Sequence, residues 1–263
     1  MKARSRIGGG RQVGFAKKEN AEWVYGKHAV QAVLQNPKRC ILRLLIQESC
    51  SYFPKKEDWN QLQIQPEENV DSRVFAEILG KNAVHQGCAV LTRKLEYPSI
   101  EELVQDDSDC RPIVYLDQLS DPQNIGSILR AAAVFGGRAL VTTIHNSSTL
   151  TTAAMKAASG ATELVPLIHV VNLVNSINQL KKHGFWCVGL DEKAPCKIHE
   201  MSLNRKFILV VGSEGSGLRR LTRKSCDFFV QLPSFGDFTT LNAAQAVTVA
   251  LYEILRQTQK VND

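Results

Sequence analysis

The stretch that decides the fold runs from Phe207 to Leu255, FILVVGSEGSGLRRLTRKSCDFFVQLPSFGDFTTLNAAQAVTVALYEIL. Its first residues, Phe207–Val211, form an apolar run that predicts a buried strand. The run ends in a loop, Gly212–Gly217, which has three glycines and one carboxylate. A second short strand is predicted at Phe228–Leu232, and Thr240-Leu241-Asn242 opens a long helix. Because ligands of α/β sheets bind outside the carboxyl ends of the strands, we expect a ligand site here.

Apolar, β-branched runs recur at regular intervals from Pro112 onward. Four more strands are predicted ahead of this stretch, at Ile113–Leu116, Ala139–Thr143, Leu164–Ile168 and Phe185–Leu190. Helical patterns lie between most of the runs. This alternation is typical of a parallel sheet covered on both faces. The sequence therefore predicts an α/β domain over residues 111–263.

A smaller α/β module is predicted at residues 21–95. Within Trp23–Leu34 the apolar residues have helical spacing after Gly26, and Pro37 ends that pattern. The other elements predicted in this module are a strand at Ile41–Ile46, a short helix at Val74–Leu79 and a strand at Gly87–Leu91.

Residues 96–110 separate the two modules and are rich in acidic side chains. The carboxylates are crowded at Glu101, Glu102, Asp106, Asp107 and Asp109. Like charges repel, and few apolar residues are present to build a core. We therefore predict an acidic linker.

Charge is distributed unevenly along the chain. The formal net charge is +6, and residues 1–18 contain six basic residues and no acidic one, whereas the remainder has 26 of each sign. A glycine-rich basic segment is typical of a flexible tail that contacts nucleic acid, and a purely solubilising tail is the alternative. We predict a flexible basic tail at residues 1–20.

Composition excludes several classes of protein. Hydrophobic residues make up 44% of the chain and charged residues 22%, as in globular proteins. No run approaches the roughly eighteen apolar residues of a spanning helix, and the first residues lack the apolar core of a secretory signal. The seven cysteines include no CxxC pair and the six histidines are isolated. We expect a cytoplasmic protein with neither a metal site nor a disulfide framework, and without membrane contact.

A further group of candidate residues follows the strand predicted at Ile113–Leu116. Asn124 lies near the start of a predicted helix, and Arg130 lies one turn beyond Gly126. Helical side chains lean toward the N-terminus, so a glycine at this spacing leaves room for the guanidinium. These residues would form one polar surface at the carboxyl edge of the sheet. A helix-capping Asn124 and a merely exposed Arg130 are the alternative.

The glycine loop differs from the common nucleotide-binding loops. It has neither the spacing of a dinucleotide fold nor a Walker lysine. Glu214 would repel a phosphate, so the loop suits a cationic ligand or one with hydroxyl or amine donors. An ordinary turn with a solvated acid is the alternative. After the loop, Thr240 is predicted to cap the last helix, with Asn242 in its first turn.

Together these segments resemble the SpoU/TrmH family of SPOUT RNA methyltransferases. Three motifs are similar to those of the family: Asn124-x-Gly126-x-x-x-Arg130, then Gly212-Ser213-Glu214-Gly215 with Gly217-Leu218, then Leu232-Pro233 with Thr240-Leu241-Asn242. The first module, at Tyr25-Gly26-Lys27-His28-Ala29-Val30 and His85-Gln86-Gly87, resembles the family's L30e-like RNA-binding extension. Within the family, the overall pattern is most similar to the bacterial 23S ribosomal RNA guanosine 2′-O-methyltransferases.

The resemblance implies a fold, a cofactor and a set of site residues. The fold would be a SPOUT α/β domain with a parallel sheet and a deep trefoil knot, in which Phe207–Leu255 is the threaded part, and the protein would be a homodimer. The cofactor would be S-adenosyl-L-methionine, bound at Gly212, Leu232, Thr240 and Leu241. The catalytic residues would be Arg130, which matches the family's catalytic arginine, and Asn124, Glu214 and Asn242. The substrate would be RNA, with a ribose 2′-hydroxyl of 23S ribosomal RNA as the expected acceptor.

The sequence departs from the family pattern at Ser234 and Thr240, where the family usually has Met and Ser, and at Ala243-Ala244, where it often has Val-Ser. Three alternatives to this hypothesis remain. The alternatives are a tRNA 2′-O-methyltransferase, a non-catalytic RNA-binding module of the same fold, and a nucleotide-binding oxidoreductase. The absence of G-x-G-x-x-G disfavours the last. The intact set of polar site residues argues against the non-catalytic module.

Overall fold

The protein contains two sheets, one antiparallel and one parallel. The computed structural model describes residues 20–50, 65–105, 108–144, 152–203, 205–237 and 239–259. A three-stranded antiparallel sheet precedes a seven-stranded parallel sheet, which confirms the predicted α/β fold class. The predicted basic tail lies outside the described residues apart from Asn20. None of the described helices is long and apolar enough to cross a membrane.

The first module packs helices on both faces of its small sheet. Its elements are β1 (Ala21–Tyr25), α1 (Lys27–Gln35), β2 (Ile41–Ile46), α2 (Ser72–Leu79) and β3 (Cys88–Arg93). The strands pair in the order β1-β3-β2. Leu44 and Ile46 of β2 pack with α1, whereas Leu45 packs with Phe75 of α2, because successive strand residues point to opposite faces. The predicted elements are confirmed, but β1 has no counterpart among them.

The second module is a parallel sheet whose central strand comes from a late part of the chain. Its elements are α3 (Ile100–Leu103), β4 (Ile113–Asp117), α4 (Pro122–Phe135), β5 (Ala139–Thr143), α5 (Thr152–Ala158), β6 (Leu167–Val170), α6 (Leu173–Lys182), β7 (Trp186–Leu190), β8 (Cys196–Lys197), β9 (Phe207–Gly212), α7 (Arg220–Ser225), β10 (Phe228–Gln231) and α8 (Ala243–Gln259). The strand order is β6-β5-β4-β9-β7-β10-β8. The threading of the chain through a knot stays a prediction.

The central strand β9 is buried on both faces, as its apolar run predicts. Leu209 and Val211 pack into one hydrophobic cluster with α4 and α8. Ile208 and Val210 pack into a second cluster with α6, on the other face. The stretch from Phe207 onward therefore supplies the middle strand and, through α8, one of the covering helices.

At the edges of this sheet one predicted strand begins later than expected and one strand has no counterpart in the prediction. Leu164, predicted in a strand, is exposed in a turn, and β6 begins only at Leu167. The strand β8 has only two residues, too few for an apolar run to predict it.

The segment 96–110 is wrongly predicted to lack core residues. Ser99 caps the short helix α3 with its side chain and forms a capping box with Glu102. This fixes Ile100 and Leu103, which are buried in the cluster that includes α6. Glu101 and Glu102 thus belong to a small amphipathic helix that packs on the parallel sheet.

The two modules meet at a closely packed contact that we call the module joint, formed by Ala32, Arg39, Tyr97, Gly160 and Glu163. Gly160 has a φ of 89°, and a Cβ there would lie 2.6 Å from the Cβ of Ala32. Arg39 donates two hydrogen bonds to Glu163, Nε to Oε2 at 2.8 Å and Nη2 to Oε1 at 2.7 Å. The joint fixes the first module on the turn that follows α5.

Candidate active site

The candidate site lies where β4 and β9 end side by side. Asp117 pairs in register with Gly212, so the glycine loop leaves the sheet beside the chain that enters α4. The loop folds back on itself: the N–H of Gly217 donates to the carbonyl of Ser213 at 2.9 Å. A Cβ on Gly212 would lie 2.2 Å from the carbonyl carbon of Gly217. Position 212 therefore requires glycine because the loop packs directly on the strand end.

An ion pair between the fully buried Asp117 and the partly exposed Arg219 supports the end of this loop. Asp117 is 0% exposed. Its Oδ2 accepts from the N–H of Arg219 at 2.9 Å, and its Oδ1 accepts from Nε of the same residue at 2.6 Å. Sequence reasoning missed both residues. The only signal was a carboxylate at the end of a buried strand, where an unpaired charge is costly and requires a partner.

Glu214 joins three segments of the chain. Its Oε1 accepts from Nδ2 of Asn124 at 3.2 Å and from the N–H of Ala243 at 3.3 Å. Asn124 is near the start of α4, and Ala243 is the first residue of α8. A carboxylate at a helix N-terminus is stabilised by the helix dipole. Asn124 and Glu214, which the family resemblance places in one site, are therefore in contact, and the exposed Glu214 is not the unbonded acid of an ordinary turn.

The predicted helix caps are assigned differently in the structure. Asp121 caps α4, since its side chain accepts from the N–H of Gln123 at 2.9 Å. Asn124 is thus free of the capping role and bonds Glu214. At α8 the cap is Asn242, whose Oδ1 accepts from the N–H of Gln245 at 2.8 Å. The prediction of Thr240 as the cap is wrong, because the helix begins three residues later, at Ala243.

Gly126 and Arg130 do not form the polar surface that the sequence predicts with Asn124. A Cβ on Gly126 would lie 2.4 Å from the Cβ of Ala157 and 2.5 Å from the carbonyl oxygen of Ala154, both in α5. The glycine therefore permits close packing of two helices, and no space remains over it for a guanidinium. Arg130 is exposed, and its side chain has no hydrogen bond or ion pair with any residue that the structure describes.

The expected cofactor-binding residues lie around the same sheet edge. Leu232 follows β10 and is partly buried against the core, whereas Leu241 is 48% exposed just before α8. Thr240 is exposed beside it. An exposed carboxylate, an exposed apolar side chain and a helix start suit a cationic ligand with an apolar part, such as the S-adenosylmethionine implied above. Among the described residues, no cluster of histidine, cysteine, aspartate or glutamate could hold a metal ion.

Comparison with known proteins assigns both modules. A profile of the SpoU rRNA Methylase family matches residues 111–252, and one described as RNA 2′-O ribose methyltransferase substrate binding matches residues 23–98. The 23S rRNA (guanosine-2′-O-)-methyltransferase RlmB of Pseudomonas putida is 34% identical over 247 residues, covering 90% of this chain and 97% of the relative. RlmB of Pseudomonas aeruginosa is also 34% identical, over 242 residues, covering 90% and 96%.

Solved structures agree in fold. The SpoU methyltransferase AviRb from Streptomyces viridochromogenes superposes with a TM-score of 0.76 at 20% identity, covering 92% of this chain and 91% of AviRb. Its complex with the cofactor AdoMet gives a TM-score of 0.74, with 93% and 92% covered. The motif order, the parallel sheet and these matches lead to one conclusion: the chain belongs to the SpoU rRNA methylase family of S-adenosylmethionine-dependent RNA methyltransferases.

Proposed function

We propose that the protein methylates the ribose 2′-hydroxyl of a guanosine in 23S ribosomal RNA. The observation that carries this proposal is the convergence of all three motifs on Glu214, which accepts from Asn124 of the first motif and from Ala243, next to the third. The relatives named for this reaction align with nine-tenths of the chain. A ribosomal RNA substrate also agrees with the cytoplasmic location expected from the sequence.

The proposed division of labour follows from exposure and charge. S-adenosylmethionine, when bound, supplies a methyl group already activated on a sulfonium. Gly212, Leu232, Thr240 and Leu241 would hold it at the carboxyl edge, with the Glu214 carboxylate near its positive charge. Asn124 and Asn242 keep Glu214 and the start of α8 in place. Holding the ribose oxygen in line with the methyl carbon is worth up to about 7–11 kcal/mol in favourable cases.

Arg130 is proposed to bind the phosphate next to the target ribose and to polarise the 2′-hydroxyl. The arginine side chain is a permanent cation in proteins and a poor general base. It therefore acts mainly as a clamp and a source of positive charge. The absence of any described protein partner leaves its guanidinium available for this role.

We also propose a homodimer that covers the outer surface of α4 and α8. Val134, Val249 and Tyr252 are exposed there, and the Tyr252 ring meets Phe135 edge-on at 5.9 Å. Arg130 lies one turn before Val134, so the partner subunit would approach the clamp. Light scattering should give twice the chain mass of 29.2 kDa, and a monomer at micromolar concentration would contradict the proposal.

We further propose that residues 21–95 bind the RNA and that residues 111–263 carry out the transfer. The decisive experiment maps ribose 2′-O-methylation in ribosomal and transfer RNA from cells with and without this protein. One guanosine of 23S RNA should lose its methyl group when the protein is absent. A lost mark in tRNA would replace the proposed substrate, and unchanged maps would contradict the activity.

A further inference from the structure

An exposed aromatic pair lies at the amino edge of the parallel sheet, opposite the edge that holds the candidate active site. Trp186 is the first residue of β7, and Phe228 is the first residue of the neighbouring strand β10. Their rings stack with centroids 5.0 Å apart and planes 18° apart. Trp186 is 38% exposed and Phe228 is 40% exposed. Two stacked aromatic rings therefore face solvent at this edge.

Other side chains form the hydrophobic core beside these two rings. The neighbouring residues Phe185 and Phe207 are 3% and 1% exposed and pack into the two hydrophobic clusters. Val230 of β10 is fully buried below Phe228. Large aromatic side chains left half exposed beside a complete core are typical of binding surfaces.

A cation completes the aromatic pair. The guanidinium carbon of Arg205 lies 4.9 Å from the centroid of the Trp186 ring, in cation–π contact. Arg205 is exposed and forms no salt bridge with an acidic residue that the structure describes. Its positive charge is thus held at the aromatic surface without being neutralised there.

The same residues line a cavity of about 490 Å³ with mostly apolar walls, together with Pro195, Cys196 and Met201. One carboxylate, Asp227, also lines it. Asp227 is already engaged, since Oδ1 accepts from Nζ of Lys181 at 2.5 Å and Oδ2 accepts from the N–H of Cys187 at 2.9 Å. The charge left for a ligand is therefore that of Arg205, so an anionic ligand with a flat apolar part is favoured.

We propose that Trp186, Phe228 and Arg205 bind one unpaired base of the RNA substrate together with an adjoining phosphate. Every base has a π face that stacks on aromatic rings, and arginine pairs with the phosphate that accompanies it. The inference rests on the proposed RNA substrate. It adds a contact about 13 Å from the carboxyl end of β7, since Trp186 and Leu190 are four residues apart at about 3.3 Å per residue. The folded RNA is thereby held at both edges of the sheet.

The test measures the affinity of the full-length protein for a 23S RNA fragment by fluorescence anisotropy, and its affinity for S-adenosylhomocysteine by calorimetry. Trp186→Ala should weaken RNA binding at least about fivefold, whereas Trp186→Phe should keep most of the affinity because it keeps a stacking ring. Affinity for S-adenosylhomocysteine should be unchanged in both variants. The comparison variant is Leu164→Ala, which truncates an exposed apolar residue in the turn before β6 and should leave RNA affinity unchanged.

Arg205→Gln leaves both aromatic rings in place and tests the phosphate contact separately. It should weaken RNA binding and lower the slope of log affinity against log salt by about one, as expected for one lost phosphate contact. Wild-type affinity in both Trp186→Ala and Arg205→Gln would overturn the inference while leaving the proposed methylation intact. A wild-type protein that binds and methylates tRNA instead would overturn only the ribosomal substrate, and the same variants would then be measured with that RNA. A wild-type protein that binds neither RNA would overturn both.

Discussion

The module joint and the candidate active site use polar side chains in opposite ways. At the joint, the Arg39 and Glu163 side chains are 1% and 2% exposed. Arg39 also donates to Glu22 at 2.9 Å and to the carbonyl of Arg93 at 2.7 Å. At the site, Arg130, Glu214 and Asn242 are exposed.

This contrast separates residues that fix the architecture from residues that meet ligands. A buried ion must be fully paired, because removing one partner leaves an uncompensated charge. An exposed ion can lose its partner to water at little cost. Substitutions at the joint should therefore change stability, and substitutions at the site should change activity.

The largest effect is expected from breaking the buried pair of the joint. Glu163→Ala should lower the free energy of unfolding by about 3 kcal/mol, because the buried Arg39 guanidinium loses both bonds to Glu163 and keeps only Glu22 and the carbonyl of Arg93. Burial lowers the pKa of Arg39, but the hydrogen bonds and charge of Glu163 and Glu22 outweigh this and raise it above its ordinary value, so Arg39 stays charged. Denaturant unfolding measures the loss.

Glu22→Gln is the matched control, because Glu22 bonds the same guanidinium but its side chain is 26% exposed. It should cost about 1 kcal/mol or less. The double variant Arg39→Met with Glu163→Leu should recover part of the loss, since it removes both charges. Equal losses of unfolding free energy in Glu163→Ala and Glu22→Gln would contradict the claim that the buried pair stabilises the protein more than the partly exposed one.

The opposite behaviour is expected at Arg130. Arg130→Ala should lower methyl transfer about 10²–10³-fold, the usual cost of removing one group that stabilises charge in the transition state. Its melting temperature and its affinity for S-adenosylhomocysteine should match the wild type, because no described residue depends on its side chain. Arg130→Lys should recover little, since a lysine cannot form the planar two-point contact with a phosphate. Undiminished transfer by Arg130→Ala would exclude it from the site.

The two regions also differ in how much of them the sequence predicts. The central strands were predictable because each is a continuous apolar run in a sheet buried on both faces. The partners Asn124 and Glu214 were predictable as residues at strand and helix ends, although 90 positions separate them. The roles within the site were less so: Asn242 and Thr240 are both good capping residues, and only the position of Ala243 decides between them.

The joint had no sequence signal at all. Arg39 and Glu163 are 124 positions apart and each looks like an ordinary surface ion. Likewise, Asp117 is recognised as buried only when its strand is placed between β5 and β9. Gly126 was assigned to the wrong neighbour, because helical spacing places Arg130 above it but does not reveal that α5 occupies the space. The partners of these residues are therefore set by contacts between distant parts of the chain, which local sequence patterns do not reveal.

The smallest expected effect is a pH dependence of stability that comes from Tyr97 at the module joint. Tyr97 donates to the carbonyl of Thr162 at 3.4 Å across the joint, and burial, followed by the nearby Glu163 charge, raises its pKa to about 12. An unfolded tyrosine titrates near about 10, so the folded state binds more protons between these values. The contribution of Tyr97 to stability is therefore complete below about pH 10 and is lost as the pH rises toward about 12.

Tyr97→Phe should show a shallower fall in the free energy of unfolding between pH 9.5 and 11.5, about the range that this linkage covers. Burial also raises the pKa of Tyr115, and this contribution to the pH dependence is the same in the wild type and in Tyr97→Phe. Unfolding at pH 7 is the control, because Tyr97 keeps its proton there in both the folded and the unfolded state. Parallel curves for wild type and Tyr97→Phe would mean that the phenol at the joint reaches water, and that the joint is more open than its arginine pair indicates.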